Sequence, residues 1–127
     1  MKSPMHLTPC RIAVIEDSPL YLAAIESALA DFPATMLVGT ADTAEGGIKV
    51  VDQVNPDLLV VDLFLKQGTG IEVLQHCQSQ ERKTKVAVMT NAPSRQLEEH
   101  CRALGATAFH DKAEGFDWIP AMAGRRQ

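Results

Sequence analysis

Positive charge is in short supply: 12 Lys and Arg stand against 16 Asp and Glu, a formal net charge of −4. Duplex and RNA surfaces neutralise phosphates with clustered Lys and Arg, so direct nucleic-acid binding is not expected. Arg125 and Arg126 are too few to change this, and the run Arg82, Lys83, Lys85 reads as a solvated turn without a partner role. Long apolar runs are also missing. No stretch of about 18 apolar residues occurs, and Met1 to Pro9 holds two prolines and no signal-peptide core. Membrane insertion and export are therefore not expected, and a cytoplasmic location is. Cysteine is scarce: Cys10, Cys77 and Cys101 are odd in number, far apart and without Cys-x-x-Cys spacing. That excludes a disulfide framework and a zinc finger, leaving reduced, structural thiols.

What is present fits one soluble domain. A chain of 127 residues with 46% hydrophobic and 22% charged residues can bury one core, whereas two would both be marginal. Residues 1–10 read as an N-terminal extension and 11–127 as the domain. Apolar runs at Arg11 to Ile15, Leu58 to Val61 and Lys85 to Met89 predict buried strands, with weaker candidates at Met36 to Val38 and Ala108 to Phe109. Helical spacing predicts helices over Pro19 to Ala30, Thr43 to Val54 and Ile71 to Cys77. Ser18 is the cap of the first and Pro19 suits its opening position. A fourth helix follows Ser94 and carries Leu97, Cys101 and Leu104, with Gly105 as its terminator. A fifth is predicted over Phe116 to Ala123, where Pro120 is an awkward interior residue.

Strands alternating with helices predict an α/β protein with a five-stranded parallel sheet and helices on both faces, in the flavodoxin-like doubly wound order 2-1-3-4-5. In such sheets the ligand crevice lies beyond the carboxyl ends of the strands. Glu16 and Asp17 end the first apolar run, Asp62 the third and Thr90 the fourth, and Lys112 follows the fifth. Three carboxylates in one crevice repel one another unless they share a cation. Hard oxygen donors in a small cleft favour Mg²⁺, which takes one or two carboxylates together with a phosphate. Lys112 then offers a point charge to a phosphoryl oxygen, Thr90 a hydroxyl donor, and Asp62 is free to be the nucleophile.

Ile15-Glu16-Asp17-Ser18, Val60-Val61-Asp62-Leu63, Met89-Thr90 and Asp111-Lys112, in this order and at these separations, resemble the receiver domains of response regulators in two-component signalling. The resemblance covers the chain from Arg11 onward and rests on the ordered set, since each motif alone is weak. It implies that Asp62 accepts a phosphoryl group from a sensor histidine kinase or phosphotransfer protein. It further implies that Glu16, Asp17, Asp62 and the backbone carbonyl of Phe64 hold Mg²⁺. Thr90 and Phe109 would form the switch, carrying the change to a face made by the fourth helix, fifth strand and fifth helix. An unknown downstream protein would read that face, and dimerisation on phosphorylation is compatible with it. The chemistry would be at most self-phosphorylation and self-dephosphorylation, without turnover.

Several positions depart from the family pattern. Lys66 stands four residues after Asp62 where many receivers have proline, so a mobile Lys66 to Gly70 loop is expected. Ala113 follows Lys112 where proline is common, so that peptide bond is expected to be trans. Phe64 and Ala92 carry no acid or amide to orient water, which implies a long-lived phosphoryl aspartate. Plainer roles exist for each residue: a turn aspartate at 62, helix-dipole charges at 16 and 17, a strand former at 90, a surface cation at 112, packing at Phe109. His110 beside Asp111 reads as structural, His76 and His100 as non-ligands, and Trp118 as a partly exposed cover residue. With no effector module visible, a stand-alone receiver is the leading expectation. The rivals are a degenerate receiver that only binds protein, an N-terminal receiver fragment of a transcription regulator, and a small aspartyl phosphatase. The last needs a second aspartate where Phe64 stands.

Overall fold

The computed structural model describes residues 8–124, so Arg125, Arg126 and the first seven residues lie outside the described residues. The strands are β1 (Cys10–Ile15), β2 (Thr35–Ala41), β3 (Leu58–Asp62), β4 (Lys85–Thr90) and β5 (Ala108–Asp111). Between and after them come α1 (Pro19–Ala30), α2 (Ala44–Val54), α3 (Gly70–Ser79), α4 (Arg95–Ala103) and α5 (Trp118–Ala123), with a 3-10 turn at Lys112–Glu114. All pairings are parallel and the order is β2-β1-β3-β4-β5, the doubly wound topology expected from the alternation.

Period-two alternation along the inner strands divides the core into two layers. Ile12, Val14, Leu58, Val60, Ala87 and Met89 face α1, α5 and the loop before α5, where Ile25, Leu29, Phe116, Ile119 and Ala123 cover them. Ala13, Ile15, Leu59, Val61, Val86 and Val88 face the other way, against Val51, Val73, Leu74, Cys77 and Cys101 of α2, α3 and α4. The three central strands are thus buried on both faces, which is why each reads as a continuous apolar run. Among the described residues no helix is long and apolar enough to cross a membrane.

Helix starts follow the caps that the sequence advertises. The Ser18 hydroxyl accepts from the Tyr21 N–H at 3.3 Å, and the Ser94 hydroxyl from the Leu97 N–H at 3.1 Å. Thr43 precedes α2 as its cap, accepting from Gly46 at 2.9 Å, and so stands outside the helix expected to begin with it. Gly105 ends α4 at φ +103°, a conformation that penalises any Cβ.

Four further expectations need correction. β2 runs to Ala41 rather than stopping at Val38, because as an edge strand it is only half buried and its apolar signal is weak. β5 likewise extends to Asp111. α5 begins at Trp118, not Phe116: Pro120 then lies in its first turn, where no backbone N–H is needed, and Phe116 packs from the preceding loop. Arg82 is no solvated turn residue. Its side chain is mostly buried, pairs with Asp52 of α2, and donates to Asn55 Oδ1 at 3.0 Å; His76 of α3 joins the same Asp52 oxygen at 2.9 Å.

Candidate functional site

The carboxyl ends of β1, β3, β4 and β5 come together through their registers. Ile15 is opposite Val61, Asp62 opposite Met89, and Thr90 opposite Asp111, so Glu16, Asp62, Thr90 and Lys112 emerge along one rim. These four are the buried polar or charged residues among those described, with exposures of 2%, 4%, 0% and 5%. Burying charge without partners is costly, and here the partners are one another. Lys112 Nζ donates to Asp62 Oδ2 at 2.8 Å and lies 2.6 Å from Glu16 Oε1. The other Glu16 oxygen accepts from the Ser18 N–H at 2.9 Å, and Asp62 Oδ1 accepts from the Phe64 N–H at 3.2 Å. Thr90 Oγ1 accepts from the Ala92 N–H at 3.1 Å.

The charges at the rim do not balance. One carboxylate oxygen each from Glu16, Asp17 and Asp62 lies within 4.8 Å of the other two, with the single Lys112 ammonium against two of them. Burial pushes the Glu16 carboxyl above the ordinary carboxylate range, against the hydrogen bonds from Lys112 and Ser18, and the Asp62 charge pushes it the same way. Burial disfavours the Lys112 ammonium, but the hydrogen bonds to Asp62 and Glu16 outweigh it and hold its pKa above that of a free lysine. An all-oxygen cluster with surplus negative charge suits a hard divalent cation such as Mg²⁺.

The β3–α3 connection holds this rim by close backbone approach. Gly70 donates to the Leu63 carbonyl at 2.9 Å, and a Cβ on it would sit 2.6 Å from the Asp62 carbonyl oxygen. Phe64 bridges Thr69, and the Ala44 N–H donates to the Gln67 carbonyl at 3.0 Å. The Lys66 to Gly70 loop is thus anchored at Gln67, Thr69 and Gly70. Phe64 itself is 57% exposed, and Ala92 is exposed too. Among the described residues no peptide bond is cis, so Lys112-Ala113 is trans as expected.

The other singled-out residues fall into place around the rim. Phe109 is half-buried against the α2/α3/α4 layer. His110 stacks on Trp118 with ring centroids 4.0 Å apart, and its Nδ1 lies 3.4 Å from Glu114, a structural arrangement. Trp118 is partly covered and donates its indole N–H to the Gly115 carbonyl at 3.1 Å. Sequence reasoning missed Tyr21, whose ring lies 4.3 Å from Lys112 Nζ. Its position in the first turn after the Ser18 cap was the available signal.

The model of the response regulator receiver domain family matches residues 12–123. Protein-glutamate methylesterase/protein-glutamine glutaminase 2 of Koribacter versatilis is 31% identical over 105 residues, which is 83% of this chain and 29% of that protein. The nitrate/nitrite response regulator protein NarL of Escherichia coli is 26% identical over 82 residues, covering 65% of this chain and 38% of the relative. The chain thus spans about a third of the length of these curated relatives. Among solved structures, the response regulator domain of Thermotoga maritima CheB superposes with a TM-score of 0.78 at 19% identity, covering 90% of each chain. A DNA-binding response regulator of the LuxR family from Staphylococcus aureus gives 0.82 at 17% identity, over 91% of this chain and 97% of that one. At such identities the superpositions speak for the fold, and the match over 12–123 speaks for more: this chain belongs to the response regulator receiver domain family, the phosphorylation-based modules of two-component signalling.

Proposed function

We propose that the chain is a phosphorylation switch in which Asp62 accepts a phosphoryl group with Mg²⁺ and thereby changes what the protein binds. The observation that carries this reading is the Lys112 ammonium, buried between Asp62 and Glu16 at 2.8 and 2.6 Å, with Asp17 completing the acidic cluster. Glu16, Asp17, Asp62 and the backbone carbonyl of Phe64 would hold the metal, which when bound neutralises charge on the phosphoryl oxygens. An Asp62 carboxylate oxygen attacks phosphorus in line, and the bond to the donor's leaving atom breaks with its electron pair departing on the donor. Lys112 faces the transferring group as a fixed cation, and the Thr90 hydroxyl offers it a hydrogen bond. The donor is a sensor histidine kinase or a phosphotransfer protein, and the setting is cytoplasmic.

The output follows from a two-state packing argument. The Thr90 hydroxyl turns toward the phosphoryl oxygens, the space it leaves admits the half-buried Phe109 ring, and the α4, β5 and α5 face is remodelled for a downstream protein or a second copy. Phe64 and Ala92, both exposed, offer no acid or amide to water attacking the acyl phosphate, so the phosphorylated state is long-lived. Phe64→Asn is expected to shorten its half-life; rapid hydrolysis that the substitution leaves unchanged removes this part of the reading.

Incubation with Mg²⁺ and acetyl phosphate, followed by intact-mass measurement, tests the core. One phosphoryl gained by the wild type and none by Asp62→Asn, or in the presence of EDTA, supports the switch. Continuous turnover of the donor supports a phosphatase, and no reaction supports a phosphorylation-independent binding module.

A further inference from the structure

The rim contains one side chain to which the phosphoryl chemistry assigns no task. Tyr21 lies in the first turn of α1, its backbone N–H held by the Ser18 hydroxyl. The Ser18 N–H in turn holds Glu16. One capped turn thus places both an acid and an aromatic ring beside Lys112. The Lys112 ammonium has three N–H donors. Asp62 Oδ2 and Glu16 Oε1 engage it on one side, and on another it sits 4.3 Å from the Tyr21 ring centroid. That is well inside the range in which an aromatic face attracts a cation. The ring is fixed in turn by an edge-on contact with Phe116, with centroids 5.8 Å apart and planes at 78°. Its hydroxyl reaches Asn91 Oδ1 only at 3.5 Å, too long to anchor much.

A π face compensates for lost water without claiming a directional hydrogen bond. An ammonium backed by a ring can therefore pivot from carboxylate to phosphoryl oxygen while its distance from the ring is kept. A carboxylate or amide in the ring's place would compete for the same N–H groups. The hydrogen bonds and ion pairs described for Lys112 run to the two acids, and the Tyr21 ring is the described contact that draws the ammonium otherwise.

We infer that Tyr21 is a positioning residue for phosphorylation: its ring holds the Lys112 ammonium at the Asp62 carboxylate and is the pivot on which that ammonium turns to the incoming phosphoryl group. The inference rests on the reading of Asp62 as acceptor. In the step concerned, an Asp62 oxygen bonds to the phosphorus of acetyl phosphate, the bond from phosphorus to the acetyl oxygen breaks, and acetate leaves with the electron pair. Lys112 gives up no proton.

The experiment measures the rate of phosphorylation by acetyl phosphate with Mg²⁺ for Tyr21→Phe, Tyr21→Leu, and phenylalanines of increasing fluorination placed at 21. Fluorination drains the ring's negative face at nearly constant shape, which a packing role would not register. The Tyr21→Phe protein is expected to keep most of the wild-type rate and Tyr21→Leu to lose about three- to thirtyfold. Each added fluorine should lower the logarithm of the rate, with the thermal midpoint steady across the series. Fluorinated rings that react like plain phenylalanine overturn the inference even if Tyr21→Leu is slow or unfolded. A wild type that gains no phosphoryl overturns the Asp62 reading instead, and this inference with it.

Discussion

Lys112 keeps its charge where burial alone would remove it, because two acids face it. Lys112→Met should therefore leave Glu16 and Asp62 uncompensated and cost about 3 to 5 kcal/mol in the absence of metal. Urea unfolding measures this, and Mg²⁺ should restore part of the loss. Glu16 behaves in the opposite sense. Its carboxyl is raised by burial and by Asp62, so a proton on it favours the folded state, and stability is lost as pH rises through its folded pKa. Glu16→Gln removes that ionisation, at the cost of the ion pair with Lys112. Without metal the variant's stability is expected to fall less with rising pH than the wild type's, and it should gain less from added Mg²⁺. A pH dependence that the substitution leaves unchanged would count against the acidic crowding described here.

At the scale of elements, two connections set the rim and brace the helices behind it. Gly70→Ala would drive a methyl to 2.6 Å from the Asp62 carbonyl oxygen, and backbone cannot yield as a side-chain tip can. A loss of about 1 to 3 kcal/mol is expected by urea titration, together with weaker metal binding. On the far side, Asp52 ties α2 to His76 of α3 and to Arg82. The His76 hydrogen bond, with the charges of His76 and Arg82, holds its carboxyl below the ordinary aspartate range. A lowered pKa stabilises above the unfolded value and loses that effect as pH falls through the folded one. The difference in urea midpoint between wild type and Asp52→Asn should thus be present near pH 6 and close below about pH 4. These elements also show what sequence alone can reveal. Local chemistry is legible: the Ser18 and Ser94 caps, the Gly105 terminator and the unbroken apolar runs of β1, β3 and β4 all stand as expected. Arg82 was misread because its neighbours are charged, while its partners lie on another helix. Tyr21 escaped notice because what it faces, Lys112, is a whole sheet away in the chain.

Across the whole molecule, the sheet acts as a frame that brings four strand ends to one edge and leaves their bodies inert. The convergence of Glu16, Asp62, Thr90 and Lys112 at one rim was legible because they end or follow apolar runs, and the order of the runs fixes where they meet. The proposed output face was not legible in this way. It depends on how far Phe109 and the Thr90 loop can move against the α2/α3/α4 layer, a difference between two packings and not a pattern in one chain. Backbone chemical shifts recorded with Mg²⁺ and beryllofluoride, a stable phosphoryl mimic, report whether Asp62 is the centre of a metal-dependent switch. Joint changes are expected at Asp17, Asp62, Phe64, Ala92 and Lys112, spreading to α4, β5 and α5 and lost in Asp62→Asn. Changes confined to the opposite end of the sheet around Asn55 to Leu58, or none at all, would contradict that role for Asp62.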